Sequence, residues 1–170
     1  MKNEHGFTLL ELMVTLAIAG ILLTVAIPSF KTTFADNRQV AAINELLGTL
    51  IYARSEAISE NAVITVCASS DSSSCNSSDW TQGWIVYATA GTPLRVHGAL
   101  DSSDTLRNTG IGSSFTFKAN GTSSTSGLFT LCDSRGASFA RSLSLTSTGI
   151  AKASQTVGQA PDGTALSCPT

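Results

Sequence analysis

The sequence predicts an α+β fold: one long N-terminal helix, its first half membrane-length and its second half amphipathic, packed on antiparallel β-sheets. Three observations predict it. Residues 7–27 form an apolar run of 21 residues with one ionisable side chain, Glu11. After Pro28 the apolar side chains recur at helical spacing. From residue 61 onward the period falls to two, in short β-type runs parted by Gly-, Ser- and Asp-rich turns. A single helix followed by strands in series leaves the helix on one side of antiparallel sheets.

A helix over residues 7–27 covers about 30 Å, the thickness of a bilayer's hydrocarbon core. It is apolar all round, so lipid or a bundle of like helices must surround it. A buried core helix of a chain this size usually keeps a polar stripe, and this one has none. Ala17-Ile18-Ala19 has the form of a secretory cleavage site. Against that, the leader carries one Lys (Lys2) beside Glu4, and the apolar run continues well past Ala19. Glu11 is the informative residue. A carboxylate facing lipid costs roughly 2.5–3.5 kcal/mol and usually has a partner and a function. No basic residue lies within the run, so the partner comes from another chain or from a free amine at a new N-terminus.

Pro28 removes a backbone donor and clashes with the preceding turn, so it is expected to kink the helix or end it. Beyond it Val40, Ile43, Leu47 and Leu50 form an apolar stripe, widened by Leu46, Ile51, Ala57 and Ile58. This is an amphipathic helix ending near Glu60-Asn61, its apolar face on a sheet. Arg54 and Glu56 lie off the stripe and are assigned no role. The β-type runs are 62–67, 84–88, 94–97, 114–117, 128–132 and 142–145, several of them alternating apolar and polar.

The net charge of −2 excludes a generally basic nucleic-acid coat. Two His, His5 and His97, do not make a His-rich metal site. There is no G-x-S-x-G elbow, H-E-x-x-H, Walker A loop or G-x-G-x-x-G, so neither enzyme chemistry nor a cofactor is expected. His97 reads as a half-buried strand residue. Asp71-Ser72-Ser73-Ser74 with Asn76 and Asp79 faintly resembles an oxygen-ligand calcium loop, but it lacks the Gly and Glu of an EF-hand and reads as a solvated loop.

Gly6-Phe7-Thr8-Leu9-Leu10-Glu11, a short polar leader and an apolar helix closed by Pro28 resemble the class III signal of type IV pilins and type II secretion pseudopilins. The resemblance implies cleavage between Gly6 and Phe7 by prepilin peptidase, and N-methylation of Phe7. It implies that Glu11 meets a neighbour's N-terminal amine during filament assembly. Further along, Ala53-Arg54-Ser55-Glu56-Ala57-Ile58, Val66-Cys67 with Cys75, Asp79-Trp80 through Gly83-Trp84-Ile85-Val86, and Leu131-Cys132-Asp133-Ser134-Arg135-Gly136 are similar to the GspH/FimT family of minor pilins and pseudopilins. The implied organisation is a leader at 1–6, a transmembrane and assembly helix at 7–30, and a periplasmic pilin-like domain at 31–170. Such a chain is a single-pass inner-membrane protein until it joins other pilins or pseudopilins through its N-terminal helix. The expected function is a non-enzymatic minor pilin for type IV pilus assembly and initiation. Alternatives are a type II secretion pseudopilin and a DNA-binding minor pilin for natural transformation.

The four cysteines, Cys67, Cys75, Cys132 and Cys168, are not spaced for zinc or a C-x-x-C redox motif. In an exported domain they form disulfides. Of three connectivities, local closure favours Cys67–Cys75, which leaves Cys132–Cys168 to pin the C-terminal tail. From residue 61 onward six basic residues balance six Asp. Arg135, Arg141 and Lys152 are the candidate DNA contacts. DNA-receptor members of the family carry a Gly-Arg-x-Arg element, and the corresponding stretch here is Gly149-Ile150-Ala151-Lys152. Both Arg positions depart, so scattered surface charge is favoured over a DNA site.

Overall fold

The computed structural model describes residues 7–88 and 91–168, apart from the side chains at 25, 26, 28 and 29. The leader at 1–6, with Gly6 of the expected cleavage site, and the side chain of Pro28 lie outside the described residues. The chain divides into two compact units between residues 38 and 39.

One helix, α1 (Leu9–Ser59), 51 residues long, supplies the first unit and opens the second. It passes through position 28 without ending, so of the two outcomes expected of Pro28 the helix end does not occur. A proline withholds a single backbone donor, whereas the helical pattern continues for many residues on either side.

The second unit joins residues 39–59 of α1 to eight strands in two antiparallel sheets. The strands are β1 (Ile64–Ala68), β2 (Trp84–Tyr87), β3 (Arg95–His97), β4 (Thr105–Thr109), β5 (Ser114–Phe117), β6 (Gly127–Cys132), β7 (Arg141–Leu145) and β8 (Ala151–Ala153). One sheet has the order β3-β2-β1-β5 and the other β4-β6-β7-β8. Six of these strands coincide with the β-type runs of the sequence. The other two, β4 and β8, are edge strands with little apolar content: Leu106 is the one buried residue of β4, and β8 reads Ala-Lys-Ala.

The apolar stripe of α1 meets both sheets in one core. Ile43, Leu46, Leu50, Ala53 and Ala57 bury with Ile64, Val66 and Trp84 of the first sheet, and with Phe129, Leu131 and Leu143 of the second. Trp80, on a single 3-10 turn (Trp80–Gln82), ties the sheets together. Its ring stacks on Phe115 with centroids 6.2 Å apart and meets the edge of Phe129 at 4.9 Å. Its indole N–H donates to the Gly112 carbonyl at 2.8 Å. Buried aromatic N–H groups need such a partner.

Arg54 has a role that its place off the apolar stripe concealed. Its Nε donates to the Gly121 carbonyl at 2.9 Å, and its Nη2 reaches the Thr148 carbonyl. The helix thereby holds the β5–β6 loop and the β7–β8 turn. Gly149 closes that turn with φ of 79°, and a Cβ there would run into the Gly121 carbonyl.

Candidate functional site

The first turn of α1 is built by Thr8. Its Oγ1 accepts the backbone N–H of Glu11 at 3.2 Å, and its carbonyl accepts the N–H of Leu12 at 3.1 Å. Thr8 is therefore the N-cap and Glu11 the third helical residue, the Thr-x-x-Glu spacing of a capping box. That spacing stands in the sequence, and it gives Thr8, a residue without charge, a part in the helix start. Glu11 also places negative charge where the helix dipole is positive. Its carboxylate makes no hydrogen bond or ion pair among the described residues.

From Leu12 to Thr24 the helix offers almost nothing polar to its surroundings. The hydroxyls of Thr15 and Thr24 donate back to the carbonyls of Leu12 and Ile21, at 2.9 and 2.7 Å. Leu9, Leu16, Ile21 and Leu22 are each more than three-fifths exposed. Such a surface suits a medium with no water in it, because the Thr15 and Thr24 hydroxyls are satisfied within the helix. The described part of the run within α1, residues 9–24, spans about 24 Å of helix. Among the described residues no helix is long and apolar enough to cross a membrane.

The cysteines pair as Cys67–Cys75 and Cys132–Cys168, with Cα atoms 5.6 and 5.9 Å apart. The first bridge closes the Ser-rich loop over β1. Within that loop Asp71 Oδ1 accepts the Ser73 and Ser74 N–H groups and the Ser69 hydroxyl, while Oδ2 accepts the Ser74 hydroxyl. The Ser73 N–H, then the Ser74 hydroxyl and N–H, hold the Asp71 carboxyl well below the usual carboxylate range. Asn76 Oδ1 is taken by the N–H and hydroxyl of Ser70, and Asp79 Oδ1 by the Thr81 N–H. The loop's side-chain oxygens thus point at its own donors, which leaves a cation few ligands. Among the described residues no three His, Cys, Asp or Glu side chains gather around one point.

The second bridge joins β6 to the C-terminal segment, beside Ala140, Ala160 and Leu166. His97 stacks on Trp84 with ring centroids 3.9 Å apart, and its Nδ1 lies 2.7 Å from the Gly98 carbonyl. It is a packing residue of β3.

The structure does not bring Arg135, Arg141 and Lys152 together. Arg135 forms a salt bridge to Asp133 at 2.8 Å and lies over the Phe139 ring at 4.6 Å. Lys152 is opposite Ser144 in the β7–β8 ladder. Alternation along β7 puts Arg141 on the face of Leu143 and Leu145, and Lys152 on the opposite face. Arg141 opens β7 and Lys152 is the central residue of β8.

Comparison with known proteins agrees with this geometry. The family model described as type II transport protein GspH matches residues 42–149, and that of the prokaryotic N-terminal methylation motif matches residues 1–27. The crystal structure of the type IV minor pilin FimU of Pseudomonas aeruginosa is similar at 30% identity with a TM-score of 0.57, over 71% of this chain and 95% of that one. The minor pseudopilin EpsH of the Vibrio cholerae type 2 secretion system shares the fold at 10% identity with a TM-score of 0.50, over 69% of this chain and 96% of that one. A fimbrial protein of Pseudomonas aeruginosa is 32% identical over 71 residues, 42% of this chain and 46% of the relative. The chain thus spans less than half the length of that curated relative.

Proposed function

This chain belongs to the GspH family of minor pilins and pseudopilins, and on that premise we propose that it is a minor pilin that helps to initiate type IV pilus assembly. Members of the family are structural proteins rather than enzymes. The observation that favours the pilus is the likeness to FimU, 30% identical across 95% of that chain, whereas EpsH shares the fold at 10% identity. The family model's description keeps a type II secretion pseudopilin as the second reading.

In this reading prepilin peptidase cuts between Gly6 and Phe7 and the new amine of Phe7 is methylated. The apolar half of α1 holds the chain in the inner membrane, with the sheets in the periplasm, until it enters a filament of other pilins. Glu11, without a partner among the described residues, then meets a neighbour's N-terminal amine. The physical gain is large because an unpaired carboxylate in an apolar medium is costly. The scattered basic residues argue against a DNA receptor.

The test uses Glu11→Gln and Glu11→Ala in cells lacking the native copy. Glutamine keeps the side chain's shape and removes the charge; alanine removes both, and each leaves the Thr8 cap on the residue 11 backbone N–H. Both variants are expected to accumulate in the membrane but to fall at least tenfold in sheared pili, with surface piliation reduced and exoprotein secretion normal. Full incorporation of Glu11→Gln would show that the charge is not what matters. Lost secretion with normal piliation would move the chain to the type II machine.

A further inference from the structure

We infer that the open edge of β8 is a receptor for an extended segment of another protein in which apolar side chains alternate with acidic ones. The inference goes beyond the role of the N-terminal helix and stands on the globular unit alone.

The hydrogen-bond phase of the β7–β8 ladder sets which groups face outward. Ser154 donates its N–H to the Ser142 carbonyl at 2.9 Å, and Thr146 donates to Ile150 at 3.0 Å. Ser144 and Lys152, midway between, are therefore the bonded pair, and the N–H and C=O groups of Ala151 and Ala153 turn away from β7. No described group bonds to them. Two other sheet edges are closed by the chain itself. On β5, Thr116 and Ser124 exchange bonds, the Thr116 N–H to Ser124 Oγ and the Ser124 N–H to the Thr116 carbonyl. On β4, the Leu106 N–H is taken by Thr81 Oγ1 at 2.9 Å. On the fourth edge, β3, Arg95 folds back onto α1, with Nη1 3.2 Å from the Gly48 carbonyl and the guanidinium over the Tyr52 ring.

The two sides of the β8 edge differ in chemistry. On the α1 side lies a groove of about 270 Å³ walled by Ile51, Ile58 and Ile150. All three isoleucines are more than half exposed. On the other side lies a polar groove of about 240 Å³ bordered by Lys152, Gln155 and Gln159. A strand added to β8 sends successive side chains to alternate faces. One set would fill the isoleucine groove and the other would stand beside the Lys152 ammonium, which is exposed and has no partner among the described residues. This is strand addition, in which backbone bonds supply affinity and alternate pockets supply selectivity.

Charge decides the occupant. A second copy offers edge strands that carry Arg95, Arg107 or Lys152, and like charges directly opposite each other repel. A lysine on a short edge is a common guard against self-association. Here it also selects an acidic partner.

The experiment titrates the full chain in detergent micelles with a short fluorescent peptide alternating valine and glutamate, and with its valine–lysine counterpart. The glutamate peptide is expected to bind saturably and to slow hydrogen exchange at Ala151 and Ala153. Lys152→Glu should weaken it roughly fivefold or more and reverse the preference to the lysine peptide. Ala153→Pro removes only an outward N–H, a substitution that edge strands tolerate, and should abolish binding while both grooves persist. Lys152→Glu, at an exposed position, keeps the test decisive even if the proline variant misfolds. Undiminished binding by a folded Ala153→Pro would reduce the contact to surface charge and overturn the inference. So would failure of the glutamate peptide to bind, or salt-sensitive binding of duplex DNA through Lys152 in its place. None of these outcomes bears on Glu11 or on the pilus role.

Discussion

Glu11 meets two physical demands at once: its backbone N–H is capped by the Thr8 hydroxyl at the positive end of the helix dipole, and it is the sole ionisable side chain of the apolar run. Both follow from spacing along the chain, so both are legible before any folding. Asp71 is also local, bonded by neighbours within three residues on either side. Its depressed folded value sets the sign of a pH effect. An unfolded Asp titrates near 3.9, so the loop's contribution is complete above that value and is lost as pH falls through the lower folded one. Asp71→Asn is therefore expected to lower the thermal midpoint at neutral pH, with the gap to the parent protein narrowing below about pH 4. Thermal melts followed by circular dichroism across that range check it. A gap that widens in acid would contradict the sign.

At the level of elements, periodicity identified what is amphipathic and missed what is not. Six strands show themselves because their inward faces are apolar. β4 and β8 do not, because an edge strand of three to five residues has little face to bury. Their existence depends on the partners β6 and β7, far along the chain in one case and across a turn in the other. Arg54 follows the same logic. Nothing within its helix distinguishes it from a solvated arginine, and its role appears only when the loops at Gly121 and Thr148 arrive. Hydrogen bonds from charged donors contribute about 1.5–3 kcal/mol each when part-buried. Arg54→Ala is expected to cost roughly 1–3 kcal/mol in denaturant unfolding, and Arg54→Lys to recover less than half, because a lysine cannot span both carbonyls in one plane. A loss below about 0.5 kcal/mol would show that the loops hold without it.

On the scale of the whole molecule, two bridges and one aromatic cluster join distant segments. The Cys132–Cys168 bridge spans 36 positions and the Cys67–Cys75 bridge spans 8. Chain entropy assigns the longer loop about 4 kcal/mol and the shorter about 2.5 kcal/mol. The double variant Cys132→Ser with Cys168→Ser is thus expected to lose more stability than Cys67→Ser with Cys75→Ser, measured by urea unfolding. The reverse order would place the larger constraint in the Ser-rich loop. By itself the sequence determined the helix, six strands, the family signature and the lone carboxylate, because periodicity, capping and hydropathy act over a few neighbouring residues. The tertiary structure alone decided that Arg54 clasps two loops, that Arg141 and Lys152 face opposite ways, and that β8 ends a sheet with its edge uncovered. Those outcomes depend on strand register and on contacts between residues tens of positions apart, and no local pattern encodes them.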